Sequence, residues 1–129
     1  MIRYPITPCP APRQVRKDIW DPSPSVQRYR AFKDEVRAQK VKISATPFVV
    51  FYMPMPDSWT GKRRDRYRMA THLTPPTLGD LLDGLFEAVF ETDYSHLAAV
   101  QGLKFWADTG SILVGEIDHT VLMMGVRDA

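Results

Sequence analysis

Apolar residues recur along this chain in two rhythms, a helical spacing near 3.6 residues and short unbroken runs, which divide it into alternating strand and helix segments. Residues 2–7 alternate enough for a strand, and the prolines of residues 8–12 end it because proline donates no ladder hydrogen bond. Ser23-Pro24 has the chemistry of a helix N-cap followed by proline at the first helical position. Val26, Tyr29, Phe32 and Val36 then recur at helical spacing, predicting an amphipathic helix to about residue 39. The run Thr46-Pro47-Phe48-Val49-Val50-Phe51-Tyr52-Met53 is short, β-branched and aromatic, and reads as a buried central strand closed by Pro54 and Pro56. Residues 57–68 suit a short helix or ordered loop. Pro75-Pro76-Thr77 opens a second clear helix, with Thr77 as N-cap and Asp80 three residues on. On that helix Leu78, Leu81, Leu82, Leu85 and Val89 gather on one side, while Asp80, Asp83, Glu87 and Glu91 fall within an arc of about 80° on another. Strand-like runs at residues 97–107 and 111–118, joined by Asp108-Thr109-Gly110, predict a hairpin. The order β-α-β-(α)-α-β-β places the chain in the α/β (α+β) class.

A chain of 129 residues, 44% hydrophobic and 25% charged, is large enough for one core and has the balance of a globular protein, not of a disordered or fibrous one. The expected division is one domain over residues 1–118 with an unassigned extension at 119–129. No apolar run is long enough for a membrane span, and Met1-Ile2-Arg3-Tyr4-Pro5 lacks the features of a signal peptide, so no membrane association and a cytoplasmic location are expected. Cys9 has no second cysteine to pair with, and His72, His96 and His119 lack zinc-ligand spacing, so they read as surface or packing residues. Trp20, Trp59 and Trp106 read as core or interface anchors.

The net charge of +2 hides an uneven distribution. Residues 62–68 read Lys-Arg-Arg-Asp-Arg-Tyr-Arg, whereas residues 77–103 hold no lysine or arginine and five acids, Asp80, Asp83, Glu87, Glu91 and Asp93. Lys62, Arg63, Arg64, Arg66 and Arg68 are the expected phosphate contacts, since cations there would release counterions from DNA, and Tyr67 or Trp59 could stack on an opened base. Arg13, Arg16 and Lys17 would extend the track. Asp80, Asp83, Glu87 and Asp93 have two readings. Carboxylates at i, i+3 and i+7 can converge on a hard cation, or they can serve the helix macrodipole and solvate an outer face.

The run Ser25-Val26-Gln27-Arg28-Tyr29-Arg30-Ala31-Phe32-Lys33-Asp34-Glu35-Val36-Arg37, the segment Met53-Pro54-Met55-Pro56-Asp57-Ser58-Trp59 followed by basic residues, Leu78-Gly79-Asp80-Leu81-Leu82 and Lys104-Phe105-Trp106 together resemble the phage-type RusA Holliday-junction endonucleases, over residues 1–117. The resemblance implies a homodimer with a small mixed sheet flanked by helices, a branched-DNA substrate and Mg2+ held by three aspartates. It also implies a role for Lys104, at a strand position that the family fills with lysine. Phosphodiester hydrolysis needs such carboxylates to hold hard cations that activate water. Laid on this chain, the family's ligand positions meet Thr77, Gly79 and Tyr94, and its helix lysine meets Asp83. The expectation is therefore a junction-binding protein of phage recombination that has lost normal catalysis. Two alternatives stand beside it. One is an active Mg2+-dependent nuclease using the relocated carboxylates Asp80, Asp83, Glu87 and Asp93. The other is a module that binds a protein partner through its acidic helix, since Asp80 and Asp83 would repel phosphates.

Overall fold

The computed structural model describes residues 1–13 and 16–125. It is a mixed α and β fold in which four strands, β1 (Ile2–Tyr4), β2 (Pro47–Pro54), β3 (Gln101–Ala107) and β4 (Ser111–Glu116), form one sheet in the order β1-β4-β2-β3. The helices are α1 (Pro24–Ala38), α2 (Gly61–Tyr67), α3 (Leu78–Phe90) and α4 (His119–Leu122). A 3-10 turn at Arg16–Ile19 precedes α1, and another at Met123–Gly125 follows α4.

The two long helices begin where local chemistry places them. Ser23 accepts the Val26 amide with Pro24 in the first turn, and Thr77 accepts the Asp80 amide at 3.1 Å. Val26, Tyr29, Phe32 and Val36 are buried on α1, the four positions read from the helical spacing. On α3 the buried arc is wider than the leucine stripe. Leu81 and Leu85 are buried, Leu78, Leu82 and Val89 are partly so, and Gly84, Phe86 and Ala88 join them. Gly84 lets another backbone come close, because a Cβ there would lie 2.6 Å from the Cys9 carbonyl oxygen and 2.9 Å from the Ala11 nitrogen. The same glycine's carbonyl accepts the buried Tyr29 hydroxyl at 2.8 Å, tying α1 to α3.

β1 is shorter than the alternation of residues 2–7 predicts. Pro5 removes a donor, and the Ile6 amide turns back to the Tyr4 carbonyl at 2.8 Å, a γ-turn that takes the chain off the sheet while Ile6 stays buried. β3 begins later than expected, because residues 98 and 99 donate to the Ala45 carbonyl instead of a strand.

The predicted hairpin is not formed. β3 runs parallel to β2, with Val50 opposite Leu103, and β4 runs antiparallel to β2, with Val50 opposite Leu113. Residues 108–110 therefore cross over the end of β2 and do not close a two-strand turn. The reason lies in β2, whose unbroken apolar run marks a strand buried on both faces; such a strand belongs inside the sheet, with a neighbour on each edge. Its alternate residues Val49, Phe51 and Met53 enter the core cluster with Tyr29, Phe32, Leu81 and Leu85. Residues 119–125 of the expected extension form α4, capped by the Asp118 carboxylate, and the following 3-10 turn; residues 126–129 lie outside the described residues.

Candidate nucleic-acid interface

α2 carries Lys62, Arg63, Arg64 and Arg66 and ends on Arg68 as its C-cap, and the helical geometry sorts the five into two groups. At 100° per residue, Lys62, Arg66 and Arg63 span about 100° of the helix surface, while Arg64 and Arg68 lie together on the opposite side. The second group is spent internally. Arg64 donates to the Pro56 carbonyl at 3.2 Å and pairs with Asp57 at 3.6 Å and Asp108 at 3.8 Å. Arg68 forks onto Asp108 at 2.8 and 3.1 Å and holds Asp65 at 2.7 Å. The Arg68 hydrogen bonds keep the Asp108 carboxyl below its ordinary range and raise the guanidinium in turn. These two arginines fasten α2 to the β3–β4 connection.

The first group faces outward. Among the described residues no carboxylate lies within ion-pair distance of Lys62, Arg63 or Arg66. With Thr60 and Tyr67 they line a shallow concavity of about 290 Å3. The Arg63 guanidinium sits 4.2 Å from the centre of the Trp59 ring, and that of Arg66 sits 5.7 Å from the Tyr67 ring. Trp59 rests in turn on Trp106 at 4.8 Å and Tyr67 at 5.3 Å, and Trp106 rests on His72 at 4.1 Å. This ring stack roots the cations in the partly buried Trp106, which packs on the core. The indole of Trp59, expected as a stacking surface for a base, is thus occupied by Trp106 and Arg63; its structural part is to hold a guanidinium in place.

The remaining expected cations divide as well. Arg13 and Lys17 are exposed, and the Arg16 side chain lies outside what the structure describes. Lys104 is committed elsewhere, because its Nζ donates to the Thr74 carbonyl at 2.8 Å and the Pro76 carbonyl at 2.6 Å, pinning the segment that leads into α3. Partial burial lowers its pKa.

The acidic positions serve local structure. Thr77 caps α3, Gly79 follows in its first turn with open space where a Cβ would stand, and the Tyr94 ring packs on Phe86 at 6.1 Å, in the other half of the helix. Asp93 accepts the Ser95 amide at 2.9 Å, and that bond holds its carboxyl low. Asp80 and Asp83 are exposed and Glu87 is partly buried. Among the described residues no three His, Cys, Asp or Glu side chains come together as a metal-holding group, so Asp80, Asp83, Glu87 and Asp93 are not gathered into one site.

The tryptophans and histidines sort by packing. Trp20 is 69% exposed and lies outside the core, whereas His72 is only 3% exposed, with Nδ1 lacking any hydrogen-bond partner. His96 is exposed and meets Phe90 edge-on at 4.3 Å. His119 is exposed in α4. No helix among the described residues is long and apolar enough to cross a membrane. The division of α2 into tethering and free arginines was open to sequence reasoning through the i, i+4 spacing of Arg64 and Arg68, but their partner Asp108 is forty residues away. No family model, curated protein or solved structure matches the chain.

Proposed function

We propose that the protein binds branched DNA through the outer face of α2 and does not cleave it. The observation that carries this reading is the sorting of cations on one short helix: two arginines paired inward, and Lys62, Arg63 and Arg66 presented without carboxylate partners among the described residues. A solvated basic surface does not require a guanidinium seated on a tryptophan stack; a phosphate contact benefits from one, because less side-chain entropy is lost on binding. Absence of cleavage is inferred from Thr77, Gly79 and Tyr94 standing where RusA-like enzymes place their Mg2+-binding aspartates.

Retardation of a labelled four-way junction, with and without Mg2+ or Mn2+, tests the proposal. The expected result is a shifted, uncut junction whose affinity falls with salt at a slope of about −2.7 per protomer for three phosphate contacts. Arg63→Ala with Arg66→Ala should lower that slope by about 1.8, whereas Arg64→Ala should act mainly on thermal stability. Binding insensitive to salt and to the double variant would sink the proposal. A metal-dependent cut abolished by Asp80→Asn or Asp83→Asn would favour an active enzyme with relocated acids. A second reading, a protein partner on α3, draws on Asp80, Asp83 and Glu91, which are exposed and form no ion pair among the described residues. It predicts a co-purifying protein released by Asp83→Lys.

A further inference from the structure

α1 and α3 cover one side of the sheet, and the strand register determines what stands on the other. Val49, Phe51 and Met53 of β2 enter the core cluster. Side chains alternate along a strand, so Phe48, Val50 and Tyr52 point to the far side. Their register partners there are Gln101, Leu103 and Phe105 of β3 and Gly115, Leu113 and Ser111 of β4. Arg3 of β1 stands opposite Leu113, and Met1 lies over Gly115. A sheet that faces water on one side carries polar residues there. Here the centre of the far side is apolar, and Gln101, Ser111 and Arg3 sit at its rim. Even the one charge is engaged, since the Arg3 guanidinium lies 4.4 Å from the centre of the Tyr52 ring and donates to Ser111 at 3.3 Å.

The described helices leave this side open. α1 and α3 bury their apolar stripes in the core cluster on the opposite side, and α2 and α4 bury no residue at all. Leu103 is 38% exposed and Met1 83%, and Phe48, Phe105 and Leu113 are partly exposed. At the end of the sheet where Phe48 and Gly115 pair, β4 leads through Ile117 and Asp118 into α4. Val121, Leu122, Met123 and Met124 follow, all between 37 and 82% exposed. One chain thus holds an apolar face without a cover and an apolar helical segment without a surface.

Area decides what can match them. Ordinary strand spacing and rise make the far side roughly 19 by 20 Å, about 400 Å2. The exposed area of residues 121–124 is comparable. Either alone falls short of the about 800 Å2 that each partner gives to a stable interface, and the two together reach it. A second copy of this chain brings both at once, and a twofold axis can set the α4 of each copy on the face of the other.

We propose that the protein pairs with a second copy of itself through the open side of its sheet, with residues 119–124 of each copy laid on Phe48, Leu103 and Leu113 of the other. The inference stands apart from the α2 reading, because no residue of α2 belongs to either surface.

Sedimentation equilibrium of the full-length protein tests it. The expected species is a dimer at micromolar concentration. Leu103→Lys and, separately, Leu122→Asp with Met123→Asp should each raise the dissociation constant at least about tenfold. All three side chains are exposed, so the variants should stay folded, as thermal melts would show. Mixing the two variants should restore much of the pairing, because the mixed dimer keeps one unaltered helix on one unaltered face and opposes Asp to Lys at the other contact. A monomer at every concentration overturns the proposal, as does a dimer indifferent to both variants. A dimer weakened by Leu103→Lys alone, or one that mixing does not restore, overturns the exchange of α4.

Discussion

His72 shows at the scale of one residue how much of this structure follows from packing. Its ring meets Trp106 at 4.1 Å with the two planes tilted by 47°, while Nδ1 is buried without a partner. Burial, and secondarily the Lys104 charge, lowers its pKa. The unfolded chain therefore takes up a proton more readily, so the stability tied to neutral His72 is intact above about pH 6.5 and is lost as pH falls through the folded-state value. His72→Phe should leave stability at pH 7 within about 1 kcal/mol of wild type, since it removes an orphaned polar atom together with one weak contact to Thr74. Urea denaturation at pH 7 and pH 5 should show a smaller acid loss in the variant than in wild type; equal losses would show that His72 is not the group responsible. The sequence pattern leaves this histidine as a surface or packing residue and gives no sign of its neighbours, because Trp106 reaches it through the pairing of residues 69–72 with β3.

Elements were legible where their causes are local. The caps Ser23 and Thr77 act within three residues, and the stripe Val26, Tyr29, Phe32, Val36 depends only on helix period, so α1 and α3 begin and face inward as predicted. The hairpin failed because Asp108-Thr109-Gly110 reports only that the chain turns, and the choice between closing on β3 and crossing β2 is made by a distant apolar run. The buried width of α3 was missed for a related reason. Gly84 and Ala88 carry little hydrophobic signal, yet both are buried, and the smallness of Gly84 is what admits the backbone of residues 9–11. Two glycines of one helix should thus respond oppositely to a methyl group. Gly79→Ala meets open space and should stabilise by about 0.5–1 kcal/mol. Gly84→Ala meets two backbone atoms and should cost about 1–3 kcal/mol. Thermal melts of the pair check this, and equal shifts would contradict the packing described.

For the whole molecule, charge is partitioned: a basic outer face on α2 and an acidic one on α3, with no lysine or arginine between residues 77 and 103. The candidate interface was legible as a basic run but not as a selection within it, since Asp57 and Asp108 claim two of its five cations through long-range contacts. The proposed RusA-like reading makes a whole-molecule prediction. Asp is itself a good N-cap and Gly79 has room for a side chain, so Thr77→Asp, Gly79→Asp and Tyr94→Asp together should be tolerated, apart from the lost Tyr94–Phe86 packing. On the proposed reading the triple variant is expected to bind a labelled junction in Mg2+ and leave it uncut on a denaturing gel, because Tyr94 packs on Phe86, in the other half of α3 from Thr77 and Gly79. Metal-dependent cutting by the triple variant would show that the three positions converge on one cation and would contradict that placement.

The strand order has a further consequence, for synthesis. β1 pairs only with β4, and β2 pairs only with β3 and β4, so no two strands of the sheet can meet until residue 101 has been made. A chain still on the ribosome carries the apolar run of β2 unpaired on both edges through more than forty residues of further translation. Sheet assembly must wait until β3 and β4 have emerged, and β2 is the segment that a chaperone would shield during that interval.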